Sequence, residues 1–266
     1  MKENNKKLTL FLLIALTSLP FFIFIKQPQW SDSSKVLLYL SSVVGYIGIS
    51  LMVWQLVIGT RSIAGLFFKD LPGLLKIHSF LGKYGTILVF THPIFYILSS
   101  KLSFTYLFNI HLEEGYERYV TLGRLAFFSL IIIWLTSAIV RGSIKYRPWK
   151  YIHYLSYPAL GFSLLHIPDI GNSVTESGVR FMWLGLVAVS LIAFALRMRH
   201  LFGYGKMKFE LIDKKEISPS VRQFQLKPLN QSFKIGRGQY IYLQKNLWGK
   251  NTHLAYWTLI NQLAKF

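Results

Sequence analysis

Four histidines fall into two pairs of nearly equal spacing. His78 and His92 lie fourteen positions apart, and His153 and His166 thirteen. Both pairs sit inside apolar stretches of membrane length. An imidazole in hydrocarbon is costly, and such a residue is functional by default. At 1.5 Å per residue each interval covers roughly 20 Å of helix, most of a ~30 Å hydrocarbon core. Two helices with imidazoles at two matched depths supply two pairs of neutral nitrogen ligands, one pair for each of two haem irons. Two haems stacked across a bilayer carry electrons through it.

The rest of the chain has to place those helices in lipid. Of 266 residues 52% are hydrophobic and 16% aromatic, and the mean hydropathy is positive, which points to an integral membrane protein. The net charge of +19 comes from basic residues lying between apolar runs. That pattern sets membrane topology rather than forming a nucleic-acid stripe, so no nucleic-acid partner is expected. The absence of cysteine excludes disulfides, iron–sulfur clusters, thiolate-ligated haem and covalently attached haem.

Six apolar segments are expected to cross the bilayer: Leu8–Ile25, Val36–Ile58, Leu74–Leu98, Leu122–Val140, Tyr151–Ile167 and Val179–Ala195. The first follows Lys2, Lys6 and Lys7 like a signal peptide. No small-residue cleavage site follows it, so it reads as an uncleaved helix. Loop charges alternate. Arg61, Lys69 and Lys76 follow the second segment, Arg141, Lys145, Arg147 and Lys150 the fourth, and Arg197, Arg199, Lys206 and Lys208 the sixth. Glu113, Glu114 and Glu117 follow the third, and Asp169 and Glu176 the fifth. The positive-inside rule then places both termini in the cytoplasm, with the chain in a plasma or inner membrane.

With the third and fifth segments both entering from the cytoplasm, His78 pairs with His153 on the inner side and His92 with His166 on the outer. Fourteen steps of ~100° bring His78 and His92 within about 40° of one face, whereas thirteen steps separate His153 from His166 by about 140°. Pro158 lies between the latter two and removes a hydrogen bond to Tyr154. The fifth segment is therefore expected to be distorted near Pro158, by a kink or a π-bulge, so that both rings reach one side.

Two rival readings use the same histidines. A di-metal site needs carboxylates in the same core, and neither segment has Asp or Glu between its histidines. A transporter with a histidine proton relay needs no matched depths. Arg61, Lys76, Lys145 and Arg147 are read as topology determinants or partners of haem propionates, and Lys83 as a cation that snorkels to the interface or meets a propionate. Trp54, Trp134 and Trp183 are read as packing, the Glu113–Glu117 loop as solvated, and His111 and His200 as outside the haem sites.

Beyond about Gly203 the pattern changes. Lys208–Ile212 and Val221–Leu226 alternate polar and apolar residues, and Gln239–Leu243 is a third strand candidate after Gly236-Arg237-Gly238. Ser218-Pro219 and Pro228-Leu229-Asn230 read as turns.

The histidine pattern resembles the ferric reductase-like transmembrane family, which includes NADPH oxidases and ferric reductases, in both spacings and in their place on the third and fifth of six helices. The β segments Phe209–Ile212, Ser218–Val221 and Gly238–Leu243 resemble the start of that family's FAD-binding barrel. The resemblance implies an all-α membrane bundle of six transmembrane helices over residues 1–203, followed by a partial antiparallel β-barrel of FAD-binding type over 204–266. It implies two haem b groups held by His78, His92, His153 and His166, with FAD near Gly238, Gln239, Tyr240 and His253. Electrons would run from cytoplasmic NAD(P)H through flavin and both haems to a ferric chelate or dioxygen outside. The family's His-Pro-Phe-Ser/Thr flavin motif is only partly matched: His253 takes its first position, but Leu254-Ala255 follows. No Gly-rich nicotinamide-binding segment follows either. The chain therefore reads as a truncated or frame-altered product, or as the haem-binding membrane subunit of a split reductase that works with a separate flavin partner.

Overall fold

The computed structural model describes residues 3–60, 63–64, 71–113, 115–170, 176–204, 208–218, 221–229, 242–244 and 251–253. The chain is mostly helical and divides into two compact units, Met1–Leu196 and Arg197–Phe266. Along the chain come α1 (Glu3–Ser18), α2 (Phe21–Phe24), α3 (Ser33–Gly59) and α4 (Leu71–Ser99). A 3₁₀ turn (Phe104–Phe108) leads to α5 (Tyr116–Trp134), which continues into a π-helical turn (Leu135–Ile139). Then follow α6 (Tyr146–His153), α7 (Ser156–Ile170) and α8 (Ser177–Leu201).

Local chemistry sets these boundaries. Asp32 caps α3 by accepting from the backbone N–H groups of Ser34 and Lys35 at 3.0 and 3.3 Å. The Lys35 backbone bond is the main reason its carboxyl lies below the usual carboxylate range. Along α3, Tyr39, Val43, Tyr46, Ser50 and Val53 are buried at helical three–four spacing. That face meets α1 and α2, through Ser18 on Ser50 and Phe21 stacked on Tyr46, while the opposite face, with Ser41, Gly45 and Gly48, packs along α4. With α5 packed along α7, two helix pairs form the heart of the first unit. Three tryptophans fasten helices together. The indole N–H of Trp54 donates to Thr17 Oγ1, that of Trp134 to the Lys83 carbonyl and that of Trp183 to the Leu164 carbonyl. Ser18 and Ser50 add a buried hydroxyl pair between α1 and α3.

Among the described residues three helices are long and apolar enough to cross a membrane: Ser33–Gly59, Tyr116–Ile139 and Ser177–Leu201. The expected first segment is broken at Leu19-Pro20. α4 has the length but is diluted by Lys76, His78, Lys83 and His92. The fifth segment is two helices rather than one. Large apolar side chains such as Phe11, Leu16, Phe181, Leu191 and Ile192 point outward. In water such a surface would be a standing liability, and in lipid it is solvated.

In the second unit the two alternating segments form an antiparallel hairpin, β1 (Phe209–Ser218) with β2 (Val221–Pro228). Its register shifts after Leu211 and after Glu216. β3 (Tyr242–Gln244) pairs with β4 (Asn251–His253). The described strands thus make two two-stranded sheets.

Candidate metal centre

The four histidines meet in the two pairs expected from their depths. The ring centres of His78 and His153 are 6.2 Å apart, and those of His92 and His166 6.3 Å. A metal–imidazole nitrogen bond is roughly 2 Å long. A five-membered ring with bonds of ~1.33 Å puts each nitrogen about 1.1 Å from the ring centre. Two imidazoles on opposite sides of one iron therefore have centres about 6.3 Å apart. Both pairs fit that span. The ring planes cross at 63° and 87°, and rotation about the shared axis is free in such an arrangement.

His92 and His166 are seated alike. The Nδ1 of His92 donates to the Ser41 carbonyl and that of His166 to the Tyr119 carbonyl, each at 2.8 Å. A carbonyl oxygen only accepts, so each Nδ1 carries the proton and each Nε2 keeps its lone pair, the tautomer a metal ligand needs. Each accepting carbonyl belongs to a residue four before a glycine, Gly45 or Gly123. A helical carbonyl already serves the N–H four residues on and has a second lone pair to offer. A side chain at that later position would block the approach. A Cβ on Gly45 would stand 2.8 Å from His92 Nδ1, and one on Gly123 2.5 Å from His166 Nδ1.

The other level follows this scheme by half. His78 Nδ1 is buried beside the Gln55 backbone without a formed hydrogen bond. Gly59, again four residues on, lies against its ring, with 3.5 Å between an added Cβ and Cε1. Ser41 and Gln55 are themselves fourteen positions apart, as are Gly45 and Gly59, matching the His78–His92 interval. His153 has a different seat. Its Nδ1 is 3.4 Å from Ser137 Oγ, and its ring stacks on Trp149 at 5.0 Å. Trp149 donates to the same Ser137 hydroxyl at 3.1 Å, and the Arg141 guanidinium lies over the indole at 4.4 Å.

The expected distortion of the fifth segment is present, as a tightened turn rather than a π-bulge. Pro158 cannot donate to the Tyr154 carbonyl, which instead accepts from Tyr157 N–H, while Leu155 N–H reaches Ile152. Helix α6 ends at His153 and α7 begins at Ser156, and the phase error between the histidines is absorbed there. A π-helical turn instead interrupts the facing helix, where Val140 N–H bonds the Leu135 carbonyl.

A cavity opens at the His92–His166 level. It is lined by both histidines, by Tyr46 and Ile49 of α3, and by Val120 and Arg124 of α5. Tyr106, over its rim, donates to Glu117 at 2.9 Å. Burial, and then the Glu117 carboxylate, push its phenol up to about 12. Among the described residues no cluster of three or more His, Asp and Glu side chains could hold a bare metal ion. Lys76, Lys83, Lys145 and Arg147 are exposed, and Lys83 lies over the Tyr84 ring. Arg61, Glu114, Gly238, Gln239 and Tyr240 lie outside the described residues, as does the side chain of His253.

Sequence reasoning missed Arg124. A lone arginine within an otherwise apolar span is itself a signal, because a cation in hydrocarbon needs a partner. It also missed the glycines that seat the histidines, although the Gly45–Gly59 interval repeats that of His78 and His92.

Residues 44–164 match the family model of the ferric reductase like transmembrane component. The match takes in His78, His92 and His153 and ends two residues before His166. No curated protein matches the chain. Through its apolar helices and this matched segment the chain is an integral membrane protein, and its residues 44–164 form a ferric reductase-like transmembrane component.

Proposed function

We propose that the chain conducts single electrons across a membrane through two b-type haems, one between His78 and His153 on the cytoplasmic side and one between His92 and His166 on the outer side. The observation that carries this reading is the pair of ring separations, 6.2 and 6.3 Å, each the span of two imidazoles sharing one iron. Haem, when bound, supplies one-electron redox chemistry. The protein's part is to hold and orient. Ser41 and Tyr119 fix the tautomers of His92 and His166 through their carbonyls. The apolar walls, with Ile49, Val89 and Leu130, keep bulk water from the cavity.

In this reading six segments cross the bilayer with both termini cytoplasmic, and the membrane domain extends over residues 1–203. Electrons come from cytoplasmic NAD(P)H through flavin and leave to a ferric chelate or dioxygen. Flavin sits either on a barrel begun by residues 204–266, near Gly238, Gln239, Tyr240 and His253, or on a separate reductase. Leu254-Ala255, in place of the family's Pro and aromatic after His253, favours the separate reductase.

A reduced-minus-oxidised difference spectrum of the purified chain, with haem quantified per protein, tests the reading. Two low-spin haems are expected for the wild type, and loss of the inner one in His78→Ala. Full haem content in His78→Ala refutes the ligand assignment. Reduction on adding NADPH and FAD to the chain alone separates a reductase from a passive conduit.

A further inference from the structure

Arg124 is only 4% exposed, in a segment the chain puts in lipid. Its Nη1 donates to Glu117 Oε2 at 3.3 Å, and its guanidinium lies 4.3 Å over the Tyr106 ring. Nε and Nη2 are buried with no partner among the described residues. Those two groups share one edge of the guanidinium plane, the parallel fork that grips a carboxylate through both oxygens. A buried cation with a whole fork unfilled is costly, so the fork is shaped for an anion that arrives later. Arg124 directly follows Gly123, against which His166 lies, and it lines the same cavity as His92 and His166. The Tyr46 hydroxyl, on the opposing helix α3, is also buried without a partner among the described residues, and Tyr46 lines that cavity.

We propose that the open edge of Arg124 is a carboxylate seat beside the His92–His166 pair. It takes either a propionate of the haem held there or a carboxylate of a ferric chelate. This rests on the two-haem reading, which fails separately: a wild-type chain without haem sinks that reading and the seat with it.

The test compares the full chain as wild type, Arg124→Lys and Arg124→Gln. Each is loaded with haem or with haem dimethyl ester, whose propionates are blocked. If the seat holds a propionate, Arg124→Gln speeds loss of ordinary outer haem about tenfold, the scale of one charge-assisted hydrogen-bonded pair. Loss of the ester haem is then unchanged. If it holds a chelate, haem retention is unchanged, and KM for ferric citrate rises about tenfold while that for ferric hexacyanide, which has no carboxylate, stays level. Arg124→Lys keeps the charge without the fork and falls between wild type and Arg124→Gln in whichever quantity moves. Equal loss of both haem forms in Arg124→Gln, with no selective change in KM, overturns the proposal and leaves Arg124 a purely structural residue. A lowered melting temperature in Arg124→Gln together with a wild-type value in Arg124→Lys moves the whole comparison to the lysine variant.

Discussion

The two histidine levels solve one geometric problem with different backbones. At His92–His166 the supporting helices are regular, and each ring docks on a carbonyl that a glycine four residues on leaves open. At His78–His153 regular helix gives way on both flanks, at the break after His153 and at the π-helical turn Leu135–Ile139. There a hydroxyl and a stacked indole replace the carbonyl dock of His153. Regular helix thus supplies a ready-made second shell wherever side-chain phase allows it. Where thirteen steps put the phase wrong, the chain spends local irregularity and aromatic stacking to keep the same ring separation.

Removing a ring should give the largest effect and tests whether the levels are separable. His92→Ala should lose the outer haem and retain the inner one, and His153→Ala the reverse, as read by haem per chain and by redox titration. Loss of both haems from either variant would mean that the levels fold as one unit.

Substitution of the glycine seats sharpens the comparison. Gly123→Ala and Gly45→Ala drive a methyl into a docked imidazole and should cost about 1–3 kcal/mol, with outer haem lost. Gly59→Ala meets His78 at ordinary contact distance and should leave melting temperature and haem content near wild type. A Gly59→Ala as damaging as Gly123→Ala would erase the distinction between the levels.

Ser137→Ala addresses the irregular seat. It removes the acceptor of Trp149 and the weak neighbour of His153, at about 1 kcal/mol. The inner haem spectrum should shift while the outer haem stays unchanged.

The smallest effect lies at the rim of the outer level. The Tyr106 phenol is raised to about 12 in the folded chain against an ordinary value near 10. Its contribution to stability is therefore complete below about pH 10 and is lost as pH rises through about 12, because the unfolded chain releases the proton first. Tyr106→Phe should flatten that part of the stability–pH curve, measured by thermal melting.

Much of the centre could be read from residue order alone. Spacing and depth paired His78 with His153 and His92 with His166, and Pro158 marked where the fifth segment must yield. The alternating patterns around Phe209 and Phe224 gave the hairpin. The Leu19-Pro20 break in the first segment was less legible, since an apolar run looks the same on either side of a turn. The form of the distortion was hidden too. A tightened turn and a π-bulge both accommodate a missing proline N–H, so Pro158 by itself does not choose between them. Arg124 was overlooked although Glu117 stands two turns before it on the same helix; Tyr106, from the preceding 3₁₀ turn, reaches it only through folding.

The order of residues settled which rings stand at which depth, because helical rise converts spacing directly into height. Tertiary structure decided what each ring leans on, because a carbonyl becomes a dock only when a neighbouring helix brings it within about 3 Å of an imidazole nitrogen. It also left one edge of Arg124 open beside the outer pair. A free hydrogen-bonding edge is a property of surroundings, which no single stretch of chain contains.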